Sequence, residues 1–126
     1  MVLSAVSVYS HEDNGPIISF EENKFSFDTI ARNSNGEHNF FFVNAGSEPL
    51  LITSAFSSCG CVVPEFPKQP ILPGEKSSIK VKYNTNNIGG FNKTITVPSN
   101  AVNDPRVVLR IKGTVLKPES TPTDNQ

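Results

Sequence analysis

Lys76-Ser77-Ser78-Ile79-Lys80-Val81-Lys82-Tyr83-Asn84 decides the fold. Ile79, Val81 and Tyr83 point one way, while Ser78, Lys80 and Lys82 point the other. This period of two belongs to a strand with one dry face and one wet face. The pattern recurs on both sides of the stretch. In residues 91–97, Phe91, Ile95 and Val97 share a face opposite Asn92, Thr94 and Thr96. In residues 106–115, Val107, Leu109, Ile111 and Val115 oppose Arg110, Lys112 and Thr114. Upstream, Phe25 and Phe27 alternate with Ser26 and Asp28, and Phe40 and Phe42 share a face that ends at Asn44. Leu50 and Ile52 form a further pair, with Thr53 across from them.

Turn chemistry separates these runs: Asn33-Ser34-Asn35-Gly36, Asn44-Ala45-Gly46-Ser47-Glu48-Pro49, Leu72-Pro73-Gly74-Glu75, Gly89-Gly90 and Asn103-Asp104-Pro105. Pro73-Gly74 fits the centre of a type II turn, where glycine supplies the positive φ. No window shows a sustained 3.6-residue period, so no long helix is expected. About seven short strands with such turns predict an all-β, immunoglobulin-like antiparallel sandwich, with a small barrel as the alternative.

Composition agrees and excludes other classes. The 126 residues carry 11 basic and 12 acidic side chains, a net charge of −1, which gives no reason to expect a nucleic-acid partner. No stretch approaches the ~20 apolar residues of a membrane-spanning helix. Ten prolines argue against a helical bundle. The only two cysteines, Cys59 and Cys61, are one residue apart, and tryptophan is absent. An inter-sheet disulfide of the antibody type is therefore excluded, and apolar packing alone must hold the sheets. The expected core is Phe25, Phe27, Phe40, Phe42, Ile52, Ile79, Val81, Tyr83, Phe91, Ile95, Leu109 and Ile111.

The ends differ from the middle. Residues 1–15 begin with a small, apolar run resembling the last half of a secretory signal peptide, without its basic region; an ordinary disordered N-terminus is the alternative reading. Residues 16–116 are the expected domain. Residues 117–126 hold no apolar side chain and two prolines, as in a flexible polar tail.

Several landmarks carry a family resemblance: Phe40-x-Phe42-x-Asn44-x-Gly46-x-x-Pro49-Leu50-x-Ile52, Ser58-Cys59-Gly60-Cys61-x-x-Pro64 and Pro70-Ile71-x-Pro73-Gly74-Glu75. They are followed by Gly90-Phe91-x-Lys93-x-Ile95-x-Val97-x-Ser99-Asn100 and Ile111-x-Gly113. From Phe25 to Val115 the chain resembles the bacterial, mostly Bacteroidetes, domain-of-unknown-function family fifteen seventy-three. That family is related to the immunoglobulin-like major sperm protein and ASH modules. The resemblance implies export to the periplasm or cell envelope and no known catalysis. Val62 departs from the threonine usual after the second cysteine. Asp28-Thr29-Ile30 is similar to the short O-glycosylation tripeptide of Bacteroidetes, making Thr29 a candidate acceptor.

Cys59-Gly60-Cys61 is the most chemically distinctive element, and four readings stay open. The cysteines can be small loop fillers. They can form a local disulfide, since a bend at Gly60 brings the Cα atoms into range. As thiolates they can hold Cu(I) or half of a zinc site, although His11 lies in the N-terminal segment and His38 is expected to be a solvated edge residue. Thiol–disulfide exchange is the last reading, without the basic neighbour or helix start that lowers a thiol pKa. No catalytic constellation is expected: Ser57 and Ser58 lack a neighbouring His or Asp, and Gly89-Gly90 opens a strand instead of a helix. Lys80, Lys82, Arg110 and Lys112 are read as ordinary sheet surface.

These observations predict a non-enzymatic binding or scaffold module with no cofactor and a protein partner in the envelope. That partner would be held by strand addition at a sheet edge or by loops at one end. The alternatives are a thiol-dependent protein using Cys59 and Cys61, and a structural spacer.

Overall fold

The structure, a computed structural model, describes residues 15–117. The N-terminal segment through residue 14, with His11 and the signal-peptide reading, lies outside the described residues, as does the tail from residue 118 onward. Seven strands follow in order: β1 (Ile18–Phe20), β2 (Lys24–Ala31), β3 (Glu37–Asn44), β4 (Val62–Glu65), β5 (Lys76–Tyr83), β6 (Gly89–Pro98) and β7 (Arg106–Leu116). They form two sheets, β1-β3-β5-β4 and β2-β7-β6, and the described residues contain no helix. This is the immunoglobulin-like sandwich expected from the alternating runs. The decisive stretch is β5, paired with β3 on one side and β4 on the other.

The pairing is antiparallel throughout except where β2 runs parallel to β7. A strand that reaches its sheet by crossing from the opposite one is not forced by a hairpin to reverse direction. The β2 register shifts between Ser26 and Thr29, and within that bulge Asp28 adopts φ 58°, stabilised by its N–H donating to Ser26 Oγ (3.1 Å). The 72–75 turn forms as expected, with Gly74 at φ 86° and Glu75 N–H donating to Leu72 O (2.9 Å).

Two elements differ from the sequence expectation. Leu50 and Ile52 are buried but make only isolated bridges, Leu50 to Ile71 and Ile52 to Ser99. Their bridge partners lie outside the strands, Ile71 ahead of β5 and Ser99 just after β6, so alternation there reflects burial on one side without a ladder. In contrast, β1 and β4, of three and four residues, are too short to display a period.

The expected core residues are buried except Phe25 and Phe27, which are half-buried and pack against the core margin. Both lie on β2, the edge of its sheet, where one flank has no neighbouring strand to cover the rings. Tyr83 stacks on Phe91 with ring centroids 3.8 Å apart and so links β5 to β6 across the interior. The fully buried Asn44 ends β3 among the surrounding turns. Lys80 and Lys82 lie on β5, and Arg110 and Lys112 on β7, so the four belong to different sheets and form no common stripe.

Candidate functional site

Strands β4 and β6 are each the edge of their own sheet. The Tyr83–Phe91 stack brings the β5/β4 side of one sheet over the β6 side of the other, so the two edges flank one side of the sandwich. The chain between them, residues 53–61, first runs beside β6 and then carries Cys59 and Cys61 into β4.

The β4 edge is closed to further pairing. Asn84 N–H donates to Cys61 O (2.8 Å), which fixes the phase of the β4–β5 ladder. Alternation then turns the backbone groups of Val62 and Pro64 outward. Val62 N–H is taken by Cys59 O (3.2 Å), and Pro64 has no N–H. The outward edge of β4 therefore offers carbonyls and no free donor, a known protection of exposed edges.

The β6 edge is half open. Phe56 and Thr96 exchange backbone hydrogen bonds (3.0 and 2.7 Å), and Thr53 N–H donates to Pro98 O (3.0 Å). Thr96 and Pro98 are thus covered by the 53–56 segment, which leaves β6 at Ser57. The register of β6 on β7 is unbroken, so Gly90, Asn92 and Thr94 turn their N–H and C=O groups the same outward way as Thr96. None of these six groups has a partner among the described residues. They form a short template of alternating donors and acceptors, and it begins where the cysteine loop departs.

Cys59 and Cys61 form a disulfide, with Cα atoms 5.2 Å apart. Cys61 N–H donates to Cys59 Sγ (3.2 Å), and Cys59 N–H to Ser57 Oγ (3.3 Å). Cys61 is half-buried against the core, whereas Gly60 is exposed with nothing near its Cα to resist a side chain. With the sulfurs joined, neither is a thiolate available to a metal in this state. Among the described residues no group of three or more His, Cys, Asp or Glu could hold an ion. The ring closed by this bridge is so small that it restricts the unfolded chain little. Replacing both cysteines by serine is expected to lower unfolding free energy by about 1.5 kcal/mol or less, measured by urea titration.

Thr29 is exposed on β2, directly after the bulge. His38 departs from the solvated edge residue expected. Its side chain is 17% exposed, its ring stacks on Phe25 at 3.7 Å, and Nε2 lies 2.6 Å from Glu22 Oε2. The cause is tertiary: β2 of the opposite sheet brings Phe25 over β3. No local signal around His38 could have revealed this contact. The open half-edge of β6 was equally hidden, because it depends on where a distant segment stops pairing.

No helix among the described residues is long and apolar enough to cross a membrane. No curated protein sequence matches the chain. Among solved structures, a protein of unknown function from Porphyromonas gingivalis W83 superposes with TM-score 0.71 at 11% identity. The match covers 82% of this chain and 48% of that one, so the chain spans about half of that relative's length. The ASH/PapD-like domain 7 of human CEP192 gives TM-score 0.62 at 9% identity, covering 81% and 87% of the two chains. The periplasmic chaperone SfaE gives 0.54 at 10%, covering 79% and 57%. At these identities the likeness is one of fold. The family model described as a protein of unknown function (DUF1573) matches residues 18–115, from the first residue of β1 to the penultimate residue of β7, and the chain belongs to that family.

Proposed function

We propose that this domain is a non-enzymatic binding module of the bacterial cell envelope, and that it takes an extended segment of a partner protein along the free half of β6. The observation that carries this reading is the row of backbone groups at Gly90, Asn92 and Thr94 that have no partner among the described residues. Backbone pairing supplies affinity with few sequence demands, and alternate side chains of the added strand supply selectivity. The shared fold of a periplasmic chaperone supports a protein-binding, exported role. Thr94→Pro tests it by removing one outward donor at an edge position that tolerates proline. The variant should fold as the parent does by circular dichroism, yet lose the proteins that the parent captures from envelope extract. Capture unchanged by Thr94→Pro, or no capture by the parent, would overturn strand addition and favour a structural spacer.

A second reading is favoured by the position of the Cys59–Cys61 disulfide, on an exposed loop beside that edge. In this reading the bridge is reversibly reduced by an external dithiol through a mixed disulfide, each cysteine sulfur gaining one hydrogen while the dithiol closes to its own disulfide. A native protein whose mass is unchanged by mild reductant sinks it. Thr29 is the proposed acceptor of an O-linked glycan, checked by whether Thr29→Ala lowers the mass of the exported protein.

A further inference from the structure

The two sheets carry their charges differently. On the outer face of the β1-β3-β5-β4 sheet, lysines alternate with acids and pair with them: Lys76 with Glu21 at 3.2 Å and Lys80 with Glu37 at 3.8 Å. The outer face of the β2-β7-β6 sheet carries Lys24, Arg106, Arg110 and Lys112, and none of these cations forms an ion pair with a described acid. Two carboxylates border this face. Asp28 Oδ1 accepts from Ser26 Oγ at 3.2 Å, and Asp104 Oδ1 accepts from Arg106 N–H at 3.4 Å, so each is engaged locally. For a chain of net charge −1, four cations on one sheet face without an ion pair among the described residues are a strong local asymmetry.

Register gathers three of them. Lys24 pairs with Arg110 and Ser26 with Lys112, while Asn92 lies opposite Lys112 on the other flank of β7. Directly paired residues share a face, so Lys24 and Arg110 sit one strand spacing apart, about 4.8 Å, and Lys112 lies about 6.8 Å further along β7. With Phe25, Ser26 and Asn92 these cations line a groove of about 390 Å³. Arg110 Nη1 donates to Asn92 Oδ1 at 3.1 Å, which holds the guanidinium across β6 and leaves the Asn92 amide and the remaining guanidinium N–H groups free of described partners.

We infer that this groove binds an acidic polysaccharide, a chain of sugars bearing carboxylates. The cations are spaced for successive oxyanions, and the Asn92 amide and the guanidinium supply the directional hydrogen bonds that hydroxyl-rich sugars need. An anionic membrane is a poorer match because it is too broad to enter a groove, and the large apolar side chain lining it, Phe25, is turned half inward. An acidic peptide offers carboxylates to the same cations, but its backbone carbonyls alternate to either side of an extended chain, so it presents fewer acceptors to the amide and guanidinium than a hydroxyl-rich sugar. The groove uses the Asn92 side chain, whereas strand addition would use the backbone groups of the same residue, so the two sites adjoin at Asn92.

The test uses polygalacturonate as probe, with polyglutamate and phosphatidylglycerol vesicles as the other arms, in low salt and then in added salt. The protein should bind polygalacturonate more tightly than either alternative, and binding should weaken with salt. The triple variant Lys24→Gln/Arg110→Gln/Lys112→Gln should weaken it roughly tenfold or more. The matched variant Lys76→Gln/Lys80→Gln/Lys82→Gln, with the same charge change on the opposite sheet, should leave it within about twofold. Equal loss in both triple variants, no binding by the parent, or equal or tighter binding of polyglutamate or vesicles would overturn the assignment. Thr94→Pro should bind polygalacturonate normally, which separates failure of this site from failure of strand addition.

Discussion

Replacing Asn44 by alanine is expected to cost about 3 kcal/mol of unfolding free energy and to lower the melting temperature by roughly 15 °C. The side chain is fully buried, and each of its hydrogen-bonding atoms is engaged twice. Nδ2 donates to Glu48 O at 2.7 Å and Ile71 O at 2.8 Å. Oδ1 accepts from Ile17 N–H at 3.3 Å and Gly46 N–H at 2.9 Å. One amide thus joins three segments that β3 alone does not hold: the chain entering β1, the 44–49 turn, and the residue that precedes the 72–75 turn. Alanine leaves Ile17 N–H, Gly46 N–H and Glu48 O without this partner, while Ile71 O keeps the Leu50 N–H (2.9 Å), and water can rescue only those near the surface. Asn44→Asp separates the donor role from the acceptor role. It keeps the acceptor but directs a buried carboxylate at two carbonyl oxygens, so it should destabilise at least as much as alanine. Chemical denaturation of both variants checks the order. A loss below about 1 kcal/mol for Asn44→Ala would show that these turns hold without the amide.

The sheets were legible in the sequence wherever a strand is long and one of its faces is wet. Residues 76–83 and 106–115 alternate because water on one side and packed rings on the other impose opposite demands on successive residues. The same rule fails at Leu50 and Ile52, where both side chains are buried although the backbone makes only single bridges to residues outside the strands. It also fails for β4, which at four residues is too short to display a period and whose Pro64 sits at an edge that needs no outward N–H. The candidate sites follow this division. Cys59 and Cys61 stand out by residue type alone. The β6 half-edge and the cationic groove arise from pairing between distant strands: Lys24 meets Arg110 only because β2 runs parallel to β7, and Thr94 stays uncovered only because the 53–56 segment departs first. Asn44 falls between the two cases. Its place at the end of an apolar face was readable, but its four partners come from segments that only the folded chain assembles.

Phe42→Ala should have the larger effect still, about 3–5 kcal/mol, the range for deleting a fully buried aromatic ring. Phe42 has no solvent exposure and lies on β3 between β1 and β5, where its ring meets Phe20 of β1 with centroids 5.1 Å apart. Removing it takes away apolar burial and leaves a void lined by strands that cannot close around it without breaking ladder hydrogen bonds. Phe25→Ala is the informative comparison, because the lost ring has the same size. Phe25 is half-buried on the edge strand β2 and packs on the His38 and Phe27 rings. Solvent and side-chain movement can fill its place, so its loss should cost about 1–2 kcal/mol. Urea titration of the two variants gives the difference directly, and the slope of each transition verifies that the unfolding surface has not changed. Equal losses would mean that β2 is as enclosed as β3. That would contradict the open flank that leaves both the Phe25 ring and the cationic groove beside it accessible to solvent.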